Sequence, residues 1–363
     1  MKSILFLINN LGSGGAQRQI VELAVRFKQS GYNVRFLIYE RAFSDFYFET
    51  LANHGIEIDD VAESNYLKRI YKVRRYIRTS VPDVLIAFLE ASSFMAELAS
   101  FPSKKWKLIV GERSANPAIK KSLKLKFFRQ FHVLADYIVA NSYENIRIIQ
   151  EIAPIIKRDK YKVIYNIFNE DKLKPIDDFE FGKHDKLNLV VTSSHRYLKN
   201  LDGLIEGVKL MNSEDRNKLR INWYGSNLFD DSLEKALEKV KNYDFENIFS
   251  FHKDTLNIYE FMKEADAIGL FSYFEGLPNA ICEGMLLGKP IIATRVSDIP
   301  LFIKDRVNGF LCDAADPMTI AQALSSLVAS SSEELSIMGK CNYEVAQKLF
   351  DREQILKAYE SLF

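Results

Sequence analysis

Two glutamates, Glu275 and Glu283, stand seven residues apart, with a Gly-Leu-Pro-Asn turn (Gly276, Leu277, Pro278, Asn279) in the gap. The apolar run Ala267 to Phe271 before them reads as a buried strand. Ala280 to Leu287 after them has helical spacing, and Gly288-Lys289-Pro290 stops it before a strand at Ile291 to Ala293. Such a turn aims backbone N–H groups and a helix N-terminus at one point, which suits an anion. Two carboxylates there would oppose a bare phosphate, so they are suited to hydrogen-bonding hydroxyls. A ligand with hydroxyls on both sides of a diphosphate is a nucleotide sugar.

Two further stretches carry matching chemistry. Ser193 to Asn200, SSHRYLKN, follows the strand Leu187 to Thr192 and leads into a helix around Leu204 to Met211. Arg196 can grip a diphosphate bidentately and Lys199 can meet it as a point charge; by themselves the two would read as solvated cations on a loop. Gly12-Ser13-Gly14-Gly15 lies between the first strand and the first helix, where glycine lets the backbone come close to a phosphate or sugar. It is also what a plain tight turn would use, and it lacks the G-x-G-x-x-G spacing of a dinucleotide fold.

Taken together, these motifs resemble the retaining glycosyltransferases of family 4, which have the GT-B fold. FEGLPNAICEGMLLGKPIIAT resembles the family's Glu-x7-Glu signature, and Arg196 with Lys199 its Arg-then-Lys signature. Gly14-Gly15-Ala16-Gln17 resembles its GGAE/GGAQ opening, and Val163 to Asn166, VIYN, the VIPN turn before its hinge. The resemblance implies that Arg196 and Lys199 contact the donor diphosphate, that Glu275 orients the donor sugar and that Glu283 holds ribose hydroxyls. It places Gly14 and Gly15 over the donor and the segment with His252 beside the nucleobase, although His252 also reads as a plain loop histidine. It implies two Rossmann-like domains facing across a cleft, with the last helix, Arg352 to Phe363, crossing back onto the first. Retention without a metal or other cofactor follows from the same family. No Asp-x-Asp occurs in the chain.

The elements that must position these residues are legible. Strands are expected at Ile4 to Ile8, Val34 to Tyr39, Val84 to Leu89, Leu108 to Val110, Tyr137 to Ala140 and Lys162 to Tyr165, with helices between them, the first at Ala16 to Gln29. This alternation is α/β, with a mostly parallel sheet covered on both faces. Asn166 to Asp185 is polar and irregular and reads as a linker, dividing the chain into an acceptor domain, 1–168 with 350–363, and a donor domain, 169–349. Ile221 to Gly225 and Ile248 to Phe251 continue the second domain. Glu90 and Glu112 fall near strand ends of the first and are acceptor-side candidates; His132 reads as a packed or surface histidine.

Composition bounds the rest. At 363 residues and 47% hydrophobic content, two domains with proper cores can form. Cys282, Cys312 and Cys341 have no metal spacing and cannot all pair, and MKSILFLINN reads as a first strand rather than a signal peptide, so a cytoplasmic protein is expected. Residues 1–165 hold 26 Lys and Arg against 16 Asp and Glu, and the remainder 23 against 32. The excess sits in 67–78 and 119–131, where cations alternate with aliphatic and aromatic residues. These segments suit either an anionic membrane surface or core-packing helices with a basic outer face. A lipid-linked glycan acceptor fits the first reading, and a soluble one remains open. No nucleic-acid motif is present. A non-catalytic nucleotide-sugar-binding protein on the same fold is the alternative.

Overall fold

The computed structural model describes residues 1–40, 46–113, 116–177, 179–182, 185–228, 230–255 and 257–363. Two linker positions (183–184), and position 178 with them, lie outside the described residues. The chain forms two compact units, Met1–Phe168 with Phe350–Phe363, and Asn169–Leu349.

The first unit holds a seven-stranded sheet: β1 (Ser3–Ile8), β2 (Asn33–Ile38), β3 (Glu57–Asp60), β4 (Val84–Phe88), β5 (Lys107–Glu112), β6 (Tyr137–Ala140) and β7 (Tyr161–Val163). Its order is β3-β2-β1-β4-β5-β6-β7, and all pairings are parallel. Successive residues of a strand face opposite sides. Ile4, Phe6 and Ile8 therefore join one core with Phe27, Phe36, Ile355 and Tyr359, and Leu5 and Leu7 join another with Val73, Ile77, Met95 and Leu108. The C-terminal helix Arg352–Glu360 belongs to this unit because Ile355, Leu356 and Tyr359 lie in the first core. Tyr359 also accepts a 2.7 Å hydrogen bond from Arg113, whose guanidinium lies 3.8 Å from the Phe88 ring centre.

The second unit holds β8 (Leu187–Thr192), β9 (Leu219–Tyr224), β10 (Phe249–His252), β11 (Ala267–Leu270), β12 (Ile291–Thr294) and β13 (Gly309–Cys312). Their order is β10-β9-β8-β11-β12-β13, again all parallel. β3 and β13 were not expected from the sequence. β3, EIDD, sits at a sheet edge and its exposed ends carry no apolar alternation; β13 is only four residues long, with a single pairing neighbour.

In both sheets the strand order reverses direction once, between β1 and β4 and between β8 and β11. Open α/β sheets take ligands at the carboxyl ends of the strands flanking such a reversal. The segments leaving these four strands carry Gly14 and Gly15, Glu90, Arg196 and Lys199, and Glu275.

Candidate donor and acceptor sites

In the second unit, β8 leads into a single turn, Tyr197–Lys199, ended by Asn200 at φ 63°. Asparagine tolerates that left-handed backbone better than most residues. Its side chain then caps the next helix, Leu201–Leu210, accepting from Gly203 N at 3.0 Å and donating to Ala314 O at 2.8 Å. A Cβ at residue 203 would stand 2.4 Å from that capping oxygen, so the glycine makes the cap possible. Lys199 is thus fixed at the mouth of the sheet by a buried residue beside it.

From β11 the chain runs through Ser272 to Glu275 and on to the helix Asn279–Leu286. Lys199 forms an ion pair with Glu275, both side chains about seven-eighths buried, and Ser272 Oγ donates to the same carboxylate at 2.6 Å. Two motifs 76 residues apart in sequence therefore meet at one carboxylate. The ring of Tyr197, which is exposed, stacks on Tyr273 at 5.3 Å. Gly276 carbonyl accepts from Ser297 Oγ, which holds the turn, and Leu277 is buried beneath it. Pro278 is the helix N-cap and Asn279 the first helical residue. Glu283 lies one turn in on the inner face, 2% exposed, with the Tyr259 hydroxyl donating to it at 3.4 Å.

His252 ends β10. Its ring stacks on Tyr224 at 4.4 Å and Nε2 lies 3.1 Å from Asn222 Oδ1, while burial lowers its pKa and keeps it neutral. Beside it, a Cβ at Gly225 would fall 1.9 Å from the Ser193 carbonyl, so the loops leaving β8 and β9 pass too closely for any side chain. Cys282 is fully buried and its thiol is pushed well up by burial, in keeping with packing.

In the first unit, Gly14 is the extended N-cap of the helix Gly15–Gln29, and a Cβ there would meet only the mobile end of Gln17. Glu90 opens the helix Glu90–Ser100 directly after β4 and is one-third exposed. Glu112 is placed differently from the expectation that it reaches an acceptor hydroxyl. It is 4% exposed and accepts from His132 Nε2 at 2.8 Å and from Arg129 at 3.0 Å. β5 lies between β4 and β6, and the segment carrying Arg129 and His132 covers its end.

The two basic segments also resolve into parts. In the helix Tyr66–Ser80, Arg74 donates to Leu98 and Phe101 carbonyls and Arg78 to Ala99 and Ser103, while Arg69 pairs with Glu40 and Lys72 with Glu63. Residues 119–131 are not one helix. A turn at Pro117–Lys120, the helix Leu123–Gln130 and a turn at Phe131–Leu134 follow one another, because Ser122 starts a new cap. Phe128 and Phe131 pack on Phe94, whereas Leu123 and Phe127 are exposed at 82% and 56%. Among the described residues no helix is long and apolar enough to cross a membrane, and no group of three His, Cys, Asp or Glu side chains is gathered to hold a metal ion.

Sequence reasoning missed Ser272, Arg129 and the ion-paired state of His132. The description "Glycosyltransferase Family 4" matches residues 13–172, and "Glycosyl transferases group 1" matches 186–330, so that each unit is accounted for. The chain belongs to the group 1, family 4 glycosyltransferases. Among its relatives, an uncharacterized 41.2 kDa protein of the Klebsiella pneumoniae cps region is 24% identical over 57% of this chain and 56% of its own length. This chain thus spans little more than half of that relative. The amylovoran biosynthesis glycosyltransferase AmsD of Erwinia amylovora is 24% identical over 91% of both chains. The crystal structure of Anabaena HepE in complex with UDP and glucose superposes with TM-score 0.86 over 99% of each chain at 18% identity, which establishes the GT-B fold.

Proposed function

We propose that this chain is a retaining glycosyltransferase that moves a sugar from a nucleotide-diphosphate sugar, a UDP-sugar above others, to a lipid-linked glycan acceptor during assembly of a bacterial surface polysaccharide. The observation that carries the reading is the Lys199–Glu275 pair across the β8/β11 reversal, beside the helix N-terminus at Asn279. Arg196, Lys199 and that N-terminus meet the charge growing on the leaving diphosphate, the role a metal ion serves in other transferases. A lysine has three donors, so Lys199 can hold Glu275 and a phosphate oxygen together while Glu275 turns its second oxygen to the donor sugar. Glu283 takes the ribose hydroxyls, and His252 stands by the base.

Retention follows front-face attack. The bond from the anomeric carbon to phosphate oxygen breaks, the bond to the acceptor oxygen forms on the same face, and the acceptor proton passes to the departing diphosphate. UDP is favoured because HepE is the neighbour captured with UDP and glucose, and a polysaccharide role because AmsD is an amylovoran enzyme. Exposed Leu123 and Phe127 among Lys121, Lys124 and Lys126 suit an anionic membrane surface where such an acceptor resides.

A thermal-shift screen with UDP-, GDP-, ADP- and CMP-sugars tests the donor site, since a ligand bound only by the folded state raises the melting temperature. Stabilisation by UDP-sugars, lost in Arg196→Ala and Glu283→Ala variants that still fold, is the expected result. Wild-type-like turnover in both variants would sink the site assignment.

A further inference from the structure

We infer that Arg129 and His132 are positioning residues, which hold the Glu90 carboxylate at the carboxyl end of β4 to receive the acceptor hydroxyl through a buried chain of ion pairs. This rests on the glycosyltransferase reading above and names the acceptor-side machinery within it.

The chain of contacts is continuous. Glu97 Oε1 lies 2.5 Å from His132 Nδ1, His132 Nε2 lies 2.8 Å from Glu112 Oε1, and one Arg129 nitrogen reaches Glu112 Oε2 at 3.0 Å and Glu90 Oε1 at 3.2 Å. The side chains of Glu97, His132, Glu112 and Arg129 are 5% exposed or less, and Glu90 alone, at 33%, opens outward. Four ionisable groups, from three helical segments and one strand end, thus converge on one carboxylate at the surface.

Stability alone does not explain the arrangement. Buried ion pairs pay heavily in desolvation, and well-packed apolar residues often serve as well. Here Glu97 Oε2 and Arg129 Nε are buried without a hydrogen-bond partner, so the array is not even fully satisfied. Leu89, directly before Glu90, has φ 76° and ψ 153°, a strained backbone for a branched residue. Strain of this kind persists where the surroundings impose it and gathers at functional sites. It turns the chain sharply off β4, so that Glu90 is the first helical residue at the β1/β4 reversal, where this sheet type takes its ligands. Burial, strain and topology coincide at Glu90, which accepts the hydrogen bond of the attacking hydroxyl and orients it.

The test uses the full chain with Arg129→Met, Arg129→Lys and Glu90→Gln. Crystal structures of wild type and Arg129→Met read position directly: Glu90 leaves its place in Arg129→Met, and an unmoved Glu90 overturns the inference. Turnover is read as UDP release from UDP-glucose and UDP-N-acetylglucosamine, with octyl β-D-glucoside or water as acceptor probe. Arg129→Met and Glu90→Gln lower kcat about 10- to 100-fold with donor KM and the UDP thermal shift unchanged, and Arg129→Lys recovers part of the loss. Wild-type kcat in folded Glu90→Gln, which removes no buried group, also overturns it. A wild type that neither binds nor releases UDP overturns the glycosyltransferase reading instead, while the Glu90 position in Arg129→Met still decides the positioning claim.

Discussion

Lys199 and Glu275 neutralise each other in a largely buried setting, so the carboxylate offsets part of the charge that Lys199 presents to a diphosphate. Replacing Glu275 by glutamine frees Lys199 for a diphosphate but removes an acceptor for sugar hydroxyls. Glu275→Gln is therefore expected to bind UDP about fivefold more tightly, on the order of 1 kcal/mol for loosening such a pair, while its turnover falls. Isothermal titration beside a UDP-release assay checks this, and weaker UDP binding would contradict it. His132 offers a second test. Burial would lower its pKa, but Glu97 and Glu112 outweigh that and raise it to about 9. A histidine raised in the fold contributes stability that is full below its unfolded value near 6.5 and is lost as pH climbs to about 9. The total is roughly 3 kcal/mol. The melting temperature should fall between pH 6.5 and 9 in wild type, and a His132→Gln protein should be less stable at pH 6 and nearly flat across that window.

At the scale of elements, the position of Lys199 depends on a cap. Asn200 holds a left-handed backbone, caps Leu201–Leu210 and ties it to Ala314. Asn200→Ala loses the cap and both side-chain hydrogen bonds, for an expected cost of about 2 kcal/mol by urea unfolding. Donor turnover should fall further than stability alone implies, because the Tyr197–Lys199 turn loses its end. Asn200→Gly would keep the backbone freedom and recover part of the stability but not the Ala314 bond. The helix Leu123–Gln130 shows the opposite division. Arg129 and Phe128 face inward, and Leu123 and Phe127 face outward, so one short amphipathic piece serves the buried ion chain on one side and an open apolar face on the other.

For the molecule as a whole, the surplus of positive charge in residues 1–165 is only partly surface charge. Arg129 is buried, and Arg69, Lys72, Arg74 and Arg78 are engaged within the fold. What stays exposed for an anionic bilayer includes a patch around Leu123, Lys124 and Phe127, together with one around Leu67, Lys68 and Tyr71 on the helix Tyr66–Ser80. A double substitution, Leu123→Glu with Phe127→Glu, should abolish flotation with phosphatidylglycerol vesicles while leaving the melting temperature and UDP binding unchanged. Equal flotation would move any membrane contact elsewhere.

The sequence by itself determined the α/β class, most strands to within two residues and the family motifs around Arg196, Lys199, Glu275 and Glu283. Those follow from local rules: apolar runs make buried strands, glycine and proline end helices, and a strand end followed by a turn and a helix offers N–H groups to an anion. It could not tell that Lys199 and Glu275 pair, that Glu112 is turned inward, or that Arg129 and His132 are buried. Each of those depends on which strand ends lie side by side. The order β10-β9-β8-β11 makes β8 and β11 neighbours and β3-β2-β1-β4-β5 sets Glu90 near Glu112. A charge in a local pattern reads as solvated until tertiary packing closes over it, and only the fold supplies the opposite charge that makes its burial tolerable.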